Sequence, residues 1–236
     1  MKTKIIALEG IDGSGKGLQF AALKAALVKR GHTVATMDFP DYNGFFGAEI
    51  GKMLSGGANV RADGVDAKSM ALWYACDRLK AFGTFWDGEY DFLLLNRYVM
   101  SNAVYQCVRY LEGNGSRKQG PEAVKTGFDE TGFTDWVFEM EHGQLGLPVP
   151  DIYFIFDVAP DTSKGNVAKK GRREYTERAD VYESSENLMS GARELYLALG
   201  KAFANAHIIM CEDERGMRRP EEITGELMKV IDLYMT

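Results

Sequence analysis

Hydrophobic positions along the chain follow two kinds of pattern. Short apolar runs, "KIIAL" from Lys4, "TVATMDF" from Thr33, "FLLL" from Phe92, "IYFIFDV" from Ile152 and "HIIMC" from His207, have the length of strands. The third and fourth are apolar throughout instead of alternating, as strands covered on both faces of a parallel sheet require. Longer stretches with helical spacing separate them. Leu188, Ala192, Leu195, Leu199 and Ala202 form one stripe, while Pro220 and two glutamates open a helix carrying Ile223, Leu227, Val230 and Tyr234. This alternation predicts a three-layer α/β fold, a five-stranded parallel sheet flanked by helices, with ligands at the C-terminal ends of the strands.

A chain of 236 residues, 45% apolar and 26% charged, is expected to fold as one domain spanning 1–236. The formal charge of −6 argues against nucleic acid as a partner, because affinity for a polyanion needs clustered Lys and Arg. Cys76, Cys107 and Cys211 are far apart in apolar surroundings and read as buried thiols of a reducing compartment. No stretch reaches membrane-spanning length, so the expected location is the cytoplasm. Two polar segments break the pattern. Residues 113–130, rich in Gly and charge, are expected to form a mobile insertion. The other, "KKGRREYTER" from Lys169, concentrates basic residues.

The stretch "LEGIDGSGKGLQF" from Leu8 carries the strongest chemistry. Gly10, Gly15 and Lys16 satisfy the G-x-x-x-x-G-K spacing, with a strand before and a helix after. Glycines there let backbone N–H groups curl around phosphate oxygens, and the lysine reaches the outer phosphates of a nucleotide. Gly13, Ser14, Gly15, Lys16, Gly17 and Leu18 complete the expected ATP-phosphate site. Gly17 stands where a hydroxyl residue normally touches Mg²⁺, an ion that tolerates the loss because it keeps waters and leans on phosphates. Asp12, inside the loop, is the expected acid at the reacting groups and a metal contact made largely through water.

Beyond the loop, "NRYVMSNAVYQ" runs from a strand into a helix that would align Tyr98, Ser101, Asn102 and Tyr105 on one polar, aromatic face suited to a heterocycle and its sugar. "SMALWYACDRLKAF" sets Tyr74 and Arg78 four apart, an aromatic plate beside a planar cation. "DFPDYNG" adds Phe39 and Tyr42 around a stiffening Pro40.

In their order along the chain these segments, together with "GLPVPD" and "YESSENL", resemble the thymidylate kinases, P-loop enzymes that move the γ-phosphate of ATP to dTMP. The resemblance implies a P-loop kinase fold with a basic lid at about 167–181, ATP and Mg²⁺ as phosphate donor and metal, dTMP as acceptor, and a homodimer. It also implies roles. Phe39, Pro40 and Tyr42 would line the acceptor pocket, Tyr74 would stack on the base, and Arg78 and Arg97 would bind the acceptor phosphate. Asn102, with Ser101 and Gln106 nearby, would read the pyrimidine, and Tyr105 would lie under the deoxyribose. Catalysis would fall to Asp12, Lys16, Arg97 and lid arginines, with Arg172 and Arg173 preferred over Arg178. The chain departs from the family at Asn96, where Asp is usual, and at Gly17 and Leu18. Two alternatives stay open: a kinase of another nucleoside monophosphate, and a nucleotide-binding regulator with weakened catalysis.

Overall fold

The computed structural model describes residues 2–57, 59–85, 87–113, 131–169, 182 and 185–235. The expected insertion from 114 onward and the basic segment carrying Arg172, Arg173 and Arg178 lie outside the described residues.

Five parallel strands, β1 (Lys4–Glu9), β2 (Val34–Asp38), β3 (Phe92–Asn96), β4 (Ile152–Asp157) and β5 (Ala206–Met210), form a sheet in the order β2-β3-β1-β4-β5. All five expected strands are present. Every residue of β4 and all of β3 except Asn96 is buried, which explains their unbroken apolar runs. Helix α1 (Lys16–Lys29) packs with α8 (Pro220–Tyr234); α4 (Val99–Gly113) packs with α3 (Ala67–Phe82), α5 (Phe133–Phe138) and α7 (Glu186–Ala202). Helix α2 (Phe45–Ser55) joins the second group through α3, and α6 (Pro160–Lys169) joins it through α7. A short antiparallel hairpin, β6 (Glu212–Asp213) and β7 (Gly216–Met217), was not legible in the sequence because two-residue strands carry no periodicity.

Strand β1 has β3 on one side and β4 on the other; the connection after β1 runs to β2 on the β3 side, and the connection after β3 crosses β1 to reach β4 on the other. The crevice above such a strand is where parallel sheets place ligands. The glycine-rich loop Gly10–Gly15 emerges there.

Two expectations need correction. Helix α4 begins at Val99 rather than near Arg97, and Tyr98 turns away from the polar face into the core. Its ring contacts Phe39, Phe82 and His142, and its hydroxyl donates to Pro148 O at 3.0 Å. Cys107 and Cys211 are buried thiols, but Cys76 is only half-buried, being on the outer part of α3.

Candidate active site

The phosphate loop owes its path to three glycines with left-handed or otherwise positive φ, at Gly10 (133°), Gly13 (74°) and Gly15 (90°). Gly13 is also held by proximity, since a Cβ there would stand 2.3 Å from the carbonyl oxygen of Ser163 on α6. Helix α6 braces the loop from that side. Ser163 Oγ donates to Asp12 O, and Asn166 Nδ2 donates to Gly13 O at 2.9 Å. Lys16 opens α1 with a buried side chain whose ammonium donates to Gly10 O at 2.8 Å and Ile11 O at 2.7 Å. Gly17 is exposed, and an added Cβ would meet nothing within 4 Å, so packing does not demand glycine there. Leu18 is 56% exposed.

Facing the loop is an open cleft of ≈ 570 Å³. Asp12 and Arg97 line its loop end; Phe39, Pro40, Tyr42 and Tyr74 line its walls; Arg78, Ser101, Asn102, Tyr105 and Gln106 complete the lining. The acceptor-site residues expected from sequence are thus brought together. Leu54 and Tyr182 also line it and were not expected. Tyr182 opens the quoted "YESSENL" segment, a signal that went unused, whereas Leu54 reads as one more apolar residue of α2.

At the loop end, Arg97 follows β3 with φ of 61°, a left-handed conformation that costs a side-chain-bearing residue about 1–2 kcal/mol. Its N–H donates to Leu8 O at 2.9 Å, and its guanidinium donates to Asp12 Oδ1 at 2.7 Å and to Ser101 Oγ at 3.3 Å. Burial works against the Arg97 charge, but the facing Asp12 carboxylate outweighs it and holds the group well above the ordinary arginine range. The guanidinium also lies 5.4 Å from the centre of the Tyr105 ring. Tyr105 is itself clamped, stacked on Tyr182 at 14° and meeting Tyr196 edge-on.

Helix α4 is anchored to β1 by Glu9, which is fully buried. The Glu9 carboxyl accepts from Tyr98 N at 2.9 Å, from Ser101 N at 3.4 Å and from Ser101 Oγ, so it caps the N-terminus of the helix. The loop after β2 is fixed to α3 in the same manner, because Asp77 Oδ2 accepts from Asp41 N at 2.9 Å. The Phe39–Pro40 peptide within it is cis.

The deep end differs from the sequence expectation. Arg78 is 2% exposed and forms a two-pronged ion pair with Glu141, Nε to Oε2 at 2.5 Å and Nη2 to Oε1 at 2.7 Å. Asn102 Nδ2 donates to the same Oε1 at 2.8 Å and to Ala71 O at 3.0 Å. Arg78 therefore stands beside the expected base reader, while Arg97 is the cation next to the phosphate loop. Gln106 Oε1 accepts from Arg109 Nη1 at 2.6 Å. Those contacts orient both amides, and they leave Asn102 Oδ1 and Gln106 Nε2 buried without a hydrogen-bond partner.

Near the loop, Asn96 Nδ2 donates to Asp38 Oδ1 at 2.8 Å, and Asn96 Oδ1 is buried without a partner. Asp38 is within electrostatic reach of Arg97 and Lys16. Among the described residues no group of three or more His, Cys, Asp or Glu side chains is placed to hold a metal.

A parallel sheet with its glycine loop at the crossover point, opposed by a cleft that carries its own arginine, defines a P-loop kinase fold of the nucleoside monophosphate class. Residues 8–120 match the family model described as Thymidylate kinase. A thymidylate kinase of Mycobacterium tuberculosis is 31% identical over 198 residues, covering 83% of this chain and 85% of its own length. One from Thermoanaerobacter sp. is 25% identical over 241 residues, the whole of both chains. The fold is shared with the thymidylate kinase structure from Candida albicans, at a TM-score of 0.73 and 18% identity, covering 99% of this chain and 93% of that one. The chain belongs to the thymidylate kinase family.

Proposed function

We propose that the chain transfers the γ-phosphoryl group of ATP to dTMP, giving dTDP. The observation that carries this reading is the pair of orphaned amide atoms on two residues that line the cleft. A buried polar atom without a partner costs about 1–3 kcal/mol, and a ligand that supplies the partner recovers it. Asn102 Oδ1 asks for a donor, and Gln106 Nε2 asks for an acceptor. Thymine offers both, with an N3–H flanked by two carbonyls. Cytosine presents a lone pair at N3 and an amino group at C4, the reverse polarity.

Phosphoryl transfer needs positioning and charge neutralisation more than covalent help. In the proposed mechanism Lys16 and the loop amides hold the donor phosphates, and Arg97 exchanges its Asp12 partner for the acceptor phosphate. Tyr74 covers the base, and Tyr105, immobilised by Tyr182 and Tyr196, supports the sugar. Arg78 belongs to the base end in this reading rather than to the phosphate, since its Nε and Nη2 are committed to Glu141. The strand-end oxygens suit a hydrated Mg²⁺, which prefers hard oxygen ligands and keeps several waters. Asn96 Oδ1, orphaned beside Asp38, would hold it together with Asp12, and the ion would supply charge neutralisation at the donor phosphates. Arg172 and Arg173 keep their proposed role at the transferring group, and the proposal includes a single domain, a homodimer and a reducing, cytoplasmic setting.

A coupled assay with dTMP, dUMP, dCMP, dGMP and UMP tests the acceptor. Turnover of dTMP in preference to dCMP is expected; turnover of another monophosphate without dTMP would overturn it.

A further inference from the structure

The base end of the cleft is built on a residue that does not line it. Glu141 lies within a π-helical segment, Glu139–Gln144, that continues α5 and buries Met140 and Glu141 while leaving Gly143 and Gln144 exposed. Such wide turns recur at functional sites because they shift the direction of the side chains that follow. Here the shift delivers a carboxylate that is 0% exposed to two side chains of the cleft. Both oxygens face Arg78, and Oε1 also accepts from Asn102 Nδ2.

We propose that Glu141 is a positioning residue that sets which end of the Asn102 amide faces the cleft, and so makes the site accept the N3–H face of thymine and refuse cytosine. An ionised carboxylate only accepts hydrogen bonds, so whatever Asn102 turns toward it must be a donor. With both Nδ2 protons engaged, one by Glu141 and one by Ala71 O, the amide has a single orientation, with Oδ1 the atom left for a ligand. The same carboxylate holds Arg78 as a rigid fork, leaving Nη1 outside the pair. Specificity in this arrangement is a matter of polarity that a third residue imposes on the reader. A site built to bond one donor rejects a base that lacks it, because its own buried groups are then left unpaired. The inference rests on the dTMP reading above, and it concerns how that reading is enforced.

The test compares kcat and KM for dTMP and dCMP in the wild type, Glu141→Gln and Glu141→Asp. A glutamine at 141 can turn its own NH₂ toward Asn102 and so remove one of the two acceptors that fix the amide, leaving Ala71 O alone to hold it. An aspartate keeps the charge against Arg78 but is one methylene too short to hold both partners. Expected are a rise of about 10–100-fold in the KM for dTMP and a fall of at least about tenfold in the dTMP:dCMP ratio of kcat/KM, with the KM for ATP unchanged. A folded variant that keeps the wild-type ratio overturns the proposal, as does one in which the KM for ATP suffers equally. Removing the counter-charge of a buried arginine endangers folding. A second measurement therefore uses the wild type alone: ¹⁵N-labelled Asn102 should show both amide protons protected from exchange, and unchanged on adding dTMP. Fast exchange, or a donor-type shift on binding, overturns the assignment. Failure of the dTMP reading itself would be seen separately, as a wild-type enzyme that does not turn over dTMP.

Discussion

Asn96 and Asp38 stand opposite one another in the register that ends β3 and β2, and the Asn96 amide donates to the Asp38 carboxylate at 2.8 Å. The strand end where the family resemblance leads one to expect an acid thus carries an amide, and its neighbouring strand carries the acid. Replacing Asn96 by Asp would bring two carboxylates into contact. Repulsion of about 1–4 kcal/mol, the span between a fully and a partly screened pair, is the expected cost at neutral pH without metal. Millimolar Mg²⁺ should restore the thermal midpoint. An Asn96→Asp protein as stable as wild type in EDTA would show that the two groups do not meet.

Gly13 is fixed by both φ and space, so Gly13→Ala should be costly. The added methyl has to move Ser163 and with it α6, the helix that braces Asp12 and Gly13. A loss of about 1–3 kcal/mol is expected from the denaturant midpoint, accompanied by a rise in the KM for ATP that exceeds any change for dTMP.

Gly17 is the contrasting case. Nothing lies near the position of its missing Cβ, so Gly17→Ser should fold normally and gain a few tenths of a kcal/mol from helix propensity. It also reinstates a hydroxyl beside Lys16. Calorimetric titration with an ATP analogue should show tighter binding in Mg²⁺ and no change in EDTA. Equal affinity with and without the hydroxyl in Mg²⁺ would mean that the cation is held by other oxygens.

Burial, the dominant influence, raises the Glu9 carboxyl above its ordinary value of 4.5, although the Ser101 hydroxyl and the charges of Arg97 and Lys16 pull it down. The folded protein therefore holds this proton at pH values where the unfolded chain has lost it. Between the ordinary and the raised value, stability falls as pH rises. A neutral Glu9→Gln variant lacks that dependence. Urea midpoints should thus shift in favour of the wild type, relative to the variant, as pH is lowered toward 4.5. A pH-independent difference would contradict a raised Glu9.

Much of the site was legible before any coordinates. The strand, glycine loop and helix around Lys16 are local, and Tyr74 with Arg78, or Asn102 with Gln106, share a helix face by spacing alone. Less accessible were partners brought in by packing. Glu141 lies 63 positions from Arg78 and 39 from Asn102, inside a segment whose charge and glycine content read as ordinary surface. Tyr98 shows the converse error: spacing assigned it to the polar face, yet one residue of non-helical backbone before Val99 was enough to turn it into the core.

The order of strands and helices and the phosphate cradle follow from the chain read in one dimension, because backbone sterics and hydrophobic periodicity act over a few residues, whereas the assignment of most members of the cleft to one acceptor site came from the family resemblance. Which arginine lies beside the phosphate loop and which beside Asn102, and the groups that Asn102 and Gln106 bond to, are properties of the folded molecule. A buried charge or amide takes its orientation from whichever groups satisfy it, and those groups arrive from distant segments only when the sheet and helices close around them.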